Sequence, residues 1–296
     1  MHPPPPHFFP VPVAPVIVLA NGDFPVHPLP LFLLEQAQTI ICCDGAAQKV
    51  TAYGKEPNYI IGDMDSLAPE LLKRFQARII PSSCQETNDL TKAVRLCIQK
   101  GFPHIHILGA TGGREDHTIA NISLLADYAL SLQVEMITDH GIFIPLLQPG
   151  QIRTRPGMQL SIFSLDPELS LHATGLKYPV QNVRFDSWWK GSLNEATGTE
   201  CVFDFTAGRL LVFLSYAHSG LVGNPCVSWV FARRHGQWYR IQRCRWLLPE
   251  YWWASWYGVP KKGDYFDSVR YWPQIDNHIT LGTATPILPS ARLRQK

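Results

Sequence analysis

Between residues 16 and 138 the chain alternates short apolar runs with stretches of helical period, and this alternation restricts the fold more than any other feature. The runs are 16–20, 40–43, 59–61, 78–80, 105–108 and 134–138. The clearest helical stretch is 88–100, where Leu90, Ala93, Val94, Cys97 and Ile98 recur at helical spacing and Gly101 supplies the stop. A second stretch covers 117–132. Strands that alternate with helices call for an α/β fold, a mostly parallel sheet with flanking helices.

After Pro149 the texture changes. Segments 159–165, 169–173, 201–205 and 209–215 are short and strand-like, separated by Gly, Pro and Asn, and no long helical period interrupts them. They predict a smaller, mainly β, sandwich-like domain behind a linker near 147–156. Ahead of residue 16, Pro3 to Pro6, Pro10, Pro12 and Pro15 make an extended Pro-rich arm. From Ala217 onward the chain holds seven of its nine tryptophans and 11 basic against 4 acidic side chains. That aromatic-rich extension has three readings. It is a small extra domain with its rings packed inward, an aromatic–basic surface for membrane or nucleic acid, or a rearranged tail that disturbs nothing. Arg233, Arg234, Trp252, Trp253 and Trp256 motivate the second, although Lys and Arg are not densely clustered.

The formal charge of +2 conceals an acidic part: residues 1–216 carry 20 acidic and 15 basic side chains, so a cation site is expected there. Seven cysteines without CxxC spacing argue against a disulfide framework or structural zinc. Cys42 and Cys43 lie in an apolar run and read as buried thiols in a reducing cytoplasm. No apolar run is long enough for a membrane span, and the N-terminus lacks the pattern of a signal peptide.

Ligands of an open parallel sheet bind at the carboxyl ends of its strands. The six runs are followed in turn by Asn21-Gly22-Asp23, by Asp44-Gly45, by Gly62-Asp63-Met64-Asp65-Ser66, by Gln85 to Asp89, by the Gly-rich stretch 109–117, and by Asp139. A single such loop is an ordinary turn. Six on one edge point to a site. Asp63 and Asp65, two apart, share one side of an extended segment and would repel unless a cation such as Mg²⁺ lay between them. Alternatively, Asp65 or Ser66 caps a helix over 68–75. Asp89, at the start of the 88–100 helix, is favoured there by the helix dipole and is also a third candidate ligand. The 109–117 loop lacks the GKS/T of a Walker A loop, but its backbone N–H groups and Arg114 can meet phosphate oxygens. Asp116 and His117 stand at the head of the next helix.

The runs CDGAA (43–47), GDMDS (62–66), QETNDLTKA (85–93) and GATGGREDHTIANI (109–122), in this order and spacing, closely resemble the motif set of the thiamine pyrophosphokinase family. TGLKYPV (174–180), SLNE (192–195) and RLLVFLSY (209–216) resemble its second domain. The resemblance covers about 16–216. Between the Pro-rich arm (1–15) and an extension of unknown role (217–296), the resemblance implies an α/β nucleotide-binding catalytic domain (16–148) and a β thiamine-binding domain (149–216). It implies Mg-dependent pyrophosphoryl transfer from ATP to thiamine by a cytoplasmic homodimer with shared active sites, with no nucleic acid partner.

Carried over by position, Asp63, Asp65 and Asp89 resemble the Mg²⁺-binding acids, and Asp44, Arg114, Asp116 and His117 match positions lining the ATP site. Gln85, Ser192 and Asn194 match positions on the thiamine side. Asp89 or Asp116 is the expected proton acceptor. Trp188 and Trp189 either stack on the pyrimidine or pack in the core. The sheet-edge acids alone also permit another Mg-dependent nucleotide transferase, with a different acceptor alcohol, or a non-catalytic nucleotide or thiamine-phosphate sensor.

Overall fold

The computed structural model describes residues 15–82, 86–218, 228–234, 237–243 and 280–281, of which 217–218 and all later ones are described as backbone alone. The chain divides into two compact units, Met1–Val222 and Gly223–Lys296. The first begins with β1 (Val16–Leu19), α1 (Pro28–Gln36), β2 (Thr39–Cys43), α2 (Ala46–Ala52), β3 (Tyr59–Gly62), α3 (Pro69–Arg74), β4 (Ile79–Pro81), α4 (Asp89–Gln99), β5 (His104–Leu108), α5 (Glu115–Ser123), α6 (Leu125–Tyr128) and β6 (Gln133–Ile137). It continues through β7 (Gly141–Leu146), β8 (Gly150–Arg153), β9 (Met158–Ser164), β10 (Ser170–Thr174), β11 (Val180–Arg184), β12 (Asn194–Glu195), β13 (Glu200–Asp204) and β14 (Leu210–His218).

All six expected strands of the first part form, and they pair in parallel in the order β6-β5-β1-β2-β3-β4. Their carboxyl ends therefore share one edge. Strands run to one side of β1 and then to the other, so β1 and β5 flank a topological switch point. The same sheet continues antiparallel through β7, β14, β9 and β12, making ten strands in all. A separate four-stranded sheet has the order β11-β10-β13-β8. The linker expected near 147–156 thus contains a strand: β8 pairs with β13 from Glu200↔Arg153 to Phe203↔Gly150. Its sequence, GQIR, is too short and polar to show period 2.

Helix α4 illustrates how sequence sets an element here. Asn88 caps it by accepting a hydrogen bond from the Thr91 N–H at 2.9 Å, and Leu90, Ala93, Val94 and Cys97 are buried against the sheet. Gly101, at φ +75°, ends it in a left-handed turn that a side chain would oppose. Helix α1 was not legible because its sequence, PLPLFLLEQ, opens with prolines. In the first turn a proline lacks only an N–H that no helical carbonyl would have received. The core between sheet and helices joins Val18, Ile41, Ile105, Ile107, Val94, Leu125 and Met136.

The second unit contains β15 (Ser228–Arg234), β16 (Gln237–Arg243) and β17 (Thr280–Leu281) in one antiparallel sheet of order β16-β15-β17. The expectations attached to its tryptophans and arginines, to residues 1–14 of the Pro-rich arm and to Gln85 lie outside the described side chains.

Candidate active site

The carboxyl edge is built by loops that lock onto one another. After β1, the N–H groups of Gly22 and Asp23 donate to the carbonyls of Gly109 and Thr111, at 2.8 and 2.9 Å. A side chain at Gly22 would collide with those two carbonyls, so glycine is what lets the β1 and β5 loops touch. Lys49 of α2 reaches over and donates to the carbonyls of Asn21 (3.0 Å) and Gly22 (2.6 Å). No local pattern around Lys49 announces this clamp. Behind it a cavity of about 200 Å³ opens at the switch point, lined by Asp23, Gly109, Thr111, Gly112, Thr138 and Asp139 among others. The Asp139 carboxylate accepts from the N–H groups of Val26 and His27, which ties the segment after β1 across the end of β6. Burial lowers the pKa of the His27 imidazole to about 4, against a smaller opposing pull from Asp139. This agrees with its Nδ1 accepting the Leu29 N–H.

On the other side of β1, carboxylate oxygens of Asp44, Asp63 and Asp65 all lie within 4.8 Å of one another. Asp44 follows β2, has a left-handed backbone (φ 42°) and is buried, while Asp63 and Asp65 are exposed. The reason for the meeting of Asp63 and Asp65 is not the one expected from an extended strand. Met64 between them has φ 67°, and the Asp65 N–H turns back toward Asp63 Oδ1 at 3.4 Å. A left-handed methionine costs on the order of 1 kcal/mol, so the turn is held against local preference. Helix capping does not explain the pair either. The N-cap of α3 is Ala68, without a side-chain hydrogen bond, and Ser66 instead donates to Asp65 Oδ1 at 2.9 Å.

Asp44 Oδ2 accepts a weak bond from the Ser66 N–H at 3.3 Å, whereas its buried Oδ1 has no hydrogen-bond partner. Burial raises the Asp44 pKa, with Ser66 opposing and Asp65 adding to the rise. A buried carboxylate oxygen left unpaired beside two other carboxylates is unfavourable by itself. An oxygen-only donor set of this kind suits a hard divalent cation that keeps waters and shares itself with phosphates, so these residues fit Mg²⁺.

Asp89, the expected third ligand, begins α4. Its Oδ1 accepts from Lys92 Nζ at 2.8 Å, and its Oδ2 lies 3.4 Å from where a Gly62 side chain would begin. A Cβ at Gly62 would also press on Asp44 Cβ at 2.9 Å, so the glycine makes room for both acids. Lys92, buried and three residues after Asp89, is a partner the helical spacing could have shown.

At the head of α5, Arg114 holds Asp116 through two bonds, Nε to Oδ1 at 3.1 Å and Nη2 to Oδ2 at 2.6 Å. This pairing lowers the Asp116 pKa to about 2. The Asp116 Oδ1 also receives the His117 N–H at 2.9 Å. Both charges are exposed, where they can exchange partners with an incoming phosphate.

The thiamine-side candidates lie elsewhere. Ser192 donates to the Trp189 carbonyl at 2.6 Å. Asn194 is buried, and its amide both accepts from and donates to the Tyr178 backbone, fastening β12 to the segment before β11. Core packing does not hold for Trp189, which is 73 % exposed. Trp188, 41 % exposed, sits 5.9 Å from the Phe163 ring.

The geometry coincides with relationships to known proteins. Residues 32–137 match the model of the thiamin pyrophosphokinase catalytic domain, and residues 141–213 that of its substrate-binding domain. Thiamine pyrophosphokinase 1 of Oryza sativa subsp. japonica is 30% identical over 181 residues, which cover 51% of this chain and 68% of the relative. The chain belongs to the thiamine pyrophosphokinase family. A second rice relative, thiamine pyrophosphokinase 3, is 33% identical over 180 residues, 51% of this chain and 67% of its own length. Among solved structures, thiamine pyrophosphokinase of Bacillus subtilis superposes with a TM-score of 0.57 at 24% identity, over 68% of this chain and 98% of its own. That of Candida albicans gives 0.57 at 21%, over 68% and 89%. These two share the thiamine pyrophosphokinase fold over 68% of the chain, and the acid-bearing loops after β2 and β3 fall within the catalytic match.

Proposed function

We propose that the chain catalyses Mg-dependent transfer of a diphosphate group from ATP to the hydroxyl of thiamine, releasing AMP. The observation that carries this reading is the gathering of Asp44, Asp63 and Asp65, with an unpaired buried oxygen on Asp44, at the carboxyl edge of a parallel sheet. In the reaction the thiamine hydroxyl oxygen bonds to the β-phosphorus, the bond from that phosphorus to the α–β bridging oxygen breaks, and AMP carries away the electron pair. Asp44, Asp63 and Asp65 would hold Mg²⁺, which when bound neutralises charge on the phosphate oxygens.

The remaining groups position and balance charge. Arg114 faces solvent from the Gly-rich loop and can turn from Asp116 to phosphate. Asp116 orients Arg114 for as long as the two are paired. Asp89, next to the acid cluster at the head of α4 and held in place by Lys92, is the acceptor we assign to the thiamine hydroxyl proton.

Sheet geometry supports a homodimer with shared sites. Ser192 and Asn194 lie at β12, eight strand spacings from β3. At about 4.8 Å each that is roughly 38 Å along the sheet, too far for both ends to hold one thiamine. A second copy would bring its β12 region to this acid edge, and the exposed Tyr178, Trp188, Trp189 and Leu193 give that region an apolar surface. No helix among the described residues is long and apolar enough to cross a membrane. Cys42, Cys43, Cys97 and Cys201 are free and buried, in keeping with the reducing cytoplasm we assign.

The test is incubation of the full chain with thiamine, ATP and Mg²⁺. AMP and thiamine pyrophosphate are expected in equal amounts. Release of ADP instead, or neither product with thiamine still bound, would exclude diphosphate transfer.

A further inference from the structure

We infer that His104, His106 and Glu135 form a second metal site, separate from the acid edge, that takes a first-row transition ion of the Zn²⁺ type. The inference does not depend on diphosphate transfer. His104 and His106 are two apart on β5, which puts both imidazoles on one face of the sheet. Glu135 stands directly opposite His106 on the adjacent parallel strand β6, so strand register rather than a flexible loop brings the three together. Their ligand atoms lie within 4.8 Å of one another: Glu135 Oε2 is 2.5 Å from His104 Nε2 and 3.2 Å from His106 Nδ1.

Three properties favour a metal over a merely satisfied ion pair. Two imidazole nitrogens and one carboxylate oxygen are the donor set of three-ligand zinc and related sites, which leave further positions for water. Glu135 and His106 are buried, and they sit on rigid central strands, so little ordering entropy is lost on binding. There is also a way in: Glu135 lines a cavity of about 450 Å³, together with Gln133, Ile144 and Pro149, and the His104 side chain is 22% exposed. Burial acts to raise the Glu135 pKa, but the hydrogen bonds from His104 and His106 outweigh it and bring it to about 2. The carboxylate is therefore already in the form that ligates. The site lies in the first half of β5, away from the carboxyl ends that carry Asp44 and Asp63.

The test uses the full chain, stripped with a chelator and supplied with excess Mg²⁺ so that the acid edge is occupied. Titration with Co²⁺ is expected to give the visible absorption of a four- or five-coordinate ion, saturating at one equivalent and abolished by Zn²⁺. His104→Gln should weaken that binding by more than about 100-fold, beyond the effect of an outer-shell partner, whereas Asp63→Asn should leave it unchanged. Absence of the absorption in the unaltered protein, its survival in His104→Gln, or its loss in Asp63→Asn would each overturn the assignment. Should His104→Gln fail to fold by circular dichroism, carbethoxylation of the unaltered protein decides the matter. Zn²⁺ is expected to protect His104, and unchanged modification would overturn the site.

Discussion

Two groups of ionisable side chains occupy the same ten-stranded sheet under opposite conditions. At the carboxyl edge, Asp44, Asp63 and Asp65 put three like charges within 4.8 Å, and one buried oxygen has no partner. In the first half of β5 and β6, Glu135 is surrounded by two imidazoles that already stabilise its charge. The first arrangement is incomplete without a cation. The second already balances its carboxylate with two imidazoles. Local strain follows the same division. The acid edge rests on left-handed Asp44 and Met64, while the histidine site rests on regular parallel pairing.

The largest expected effect breaks this comparison at the acid edge. Asp63→Asn should lower kcat by at least about 100-fold, which corresponds to about 2.7 kcal/mol of barrier. Its thermal midpoint should hardly move, because the side chain is exposed and removal of a like charge relieves repulsion. Near-normal turnover at saturating Mg²⁺ would mean that the cluster is not the reaction centre. Asp116→Asn should cost less in rate, about tenfold, by loosening Arg114. If Asp116 were the base, the loss would instead rival that of Asp63→Asn and the pH–rate profile would lose its acid limb.

At the histidine site the effect should fall on stability, not turnover. The Glu135 pKa is lowered from 4.5 to about 2 in the folded chain. Its contribution is therefore present above pH 4.5 and is lost as pH falls toward 2. Glu135→Gln should destabilise the protein by about 1–3 kcal/mol near pH 7. The gap from the unaltered protein should close between pH 4.5 and 2 in urea titrations. A gap independent of pH would show that Glu135 contributes through packing alone. The smallest effect belongs to a site outside both groups: Asn88→Ala should remove about 1 kcal/mol through the lost cap on α4, measured by denaturant midpoint. A much larger loss of rate than of stability there would show that the cap also positions Asp89.

Much of the fold was legible because local rules and tertiary needs agreed. The six apolar runs became the six parallel strands within a residue or two at each end, and Gly101 ended α4 where the spacing placed it. What escaped was the placing of strands whose partners are distant in sequence. β7 and β14 extend the first sheet by pairing residues about 70 positions apart, such as Leu210↔Leu146, and no local pattern announces a shared sheet. The candidate site divides in the same way. That acids follow every strand was visible in the sequence. That Asp44 rather than Asp89 closes the three-carboxylate group was not, since it depends on the left-handed turns at Asp44 and Met64 and on the space left by Gly62.

The order of residues by itself determined which strands form, which edge receives the carboxylates and which family the motifs resemble, because strand period and turn chemistry act over only a few residues. Only the tertiary structure decided which carboxylates meet, that Glu135 lies between two histidines, and that Asn194 is fastened far from the acid edge. Those outcomes depend on register and crossing between segments distant in sequence, where a shift of one residue turns every side chain to the opposite face.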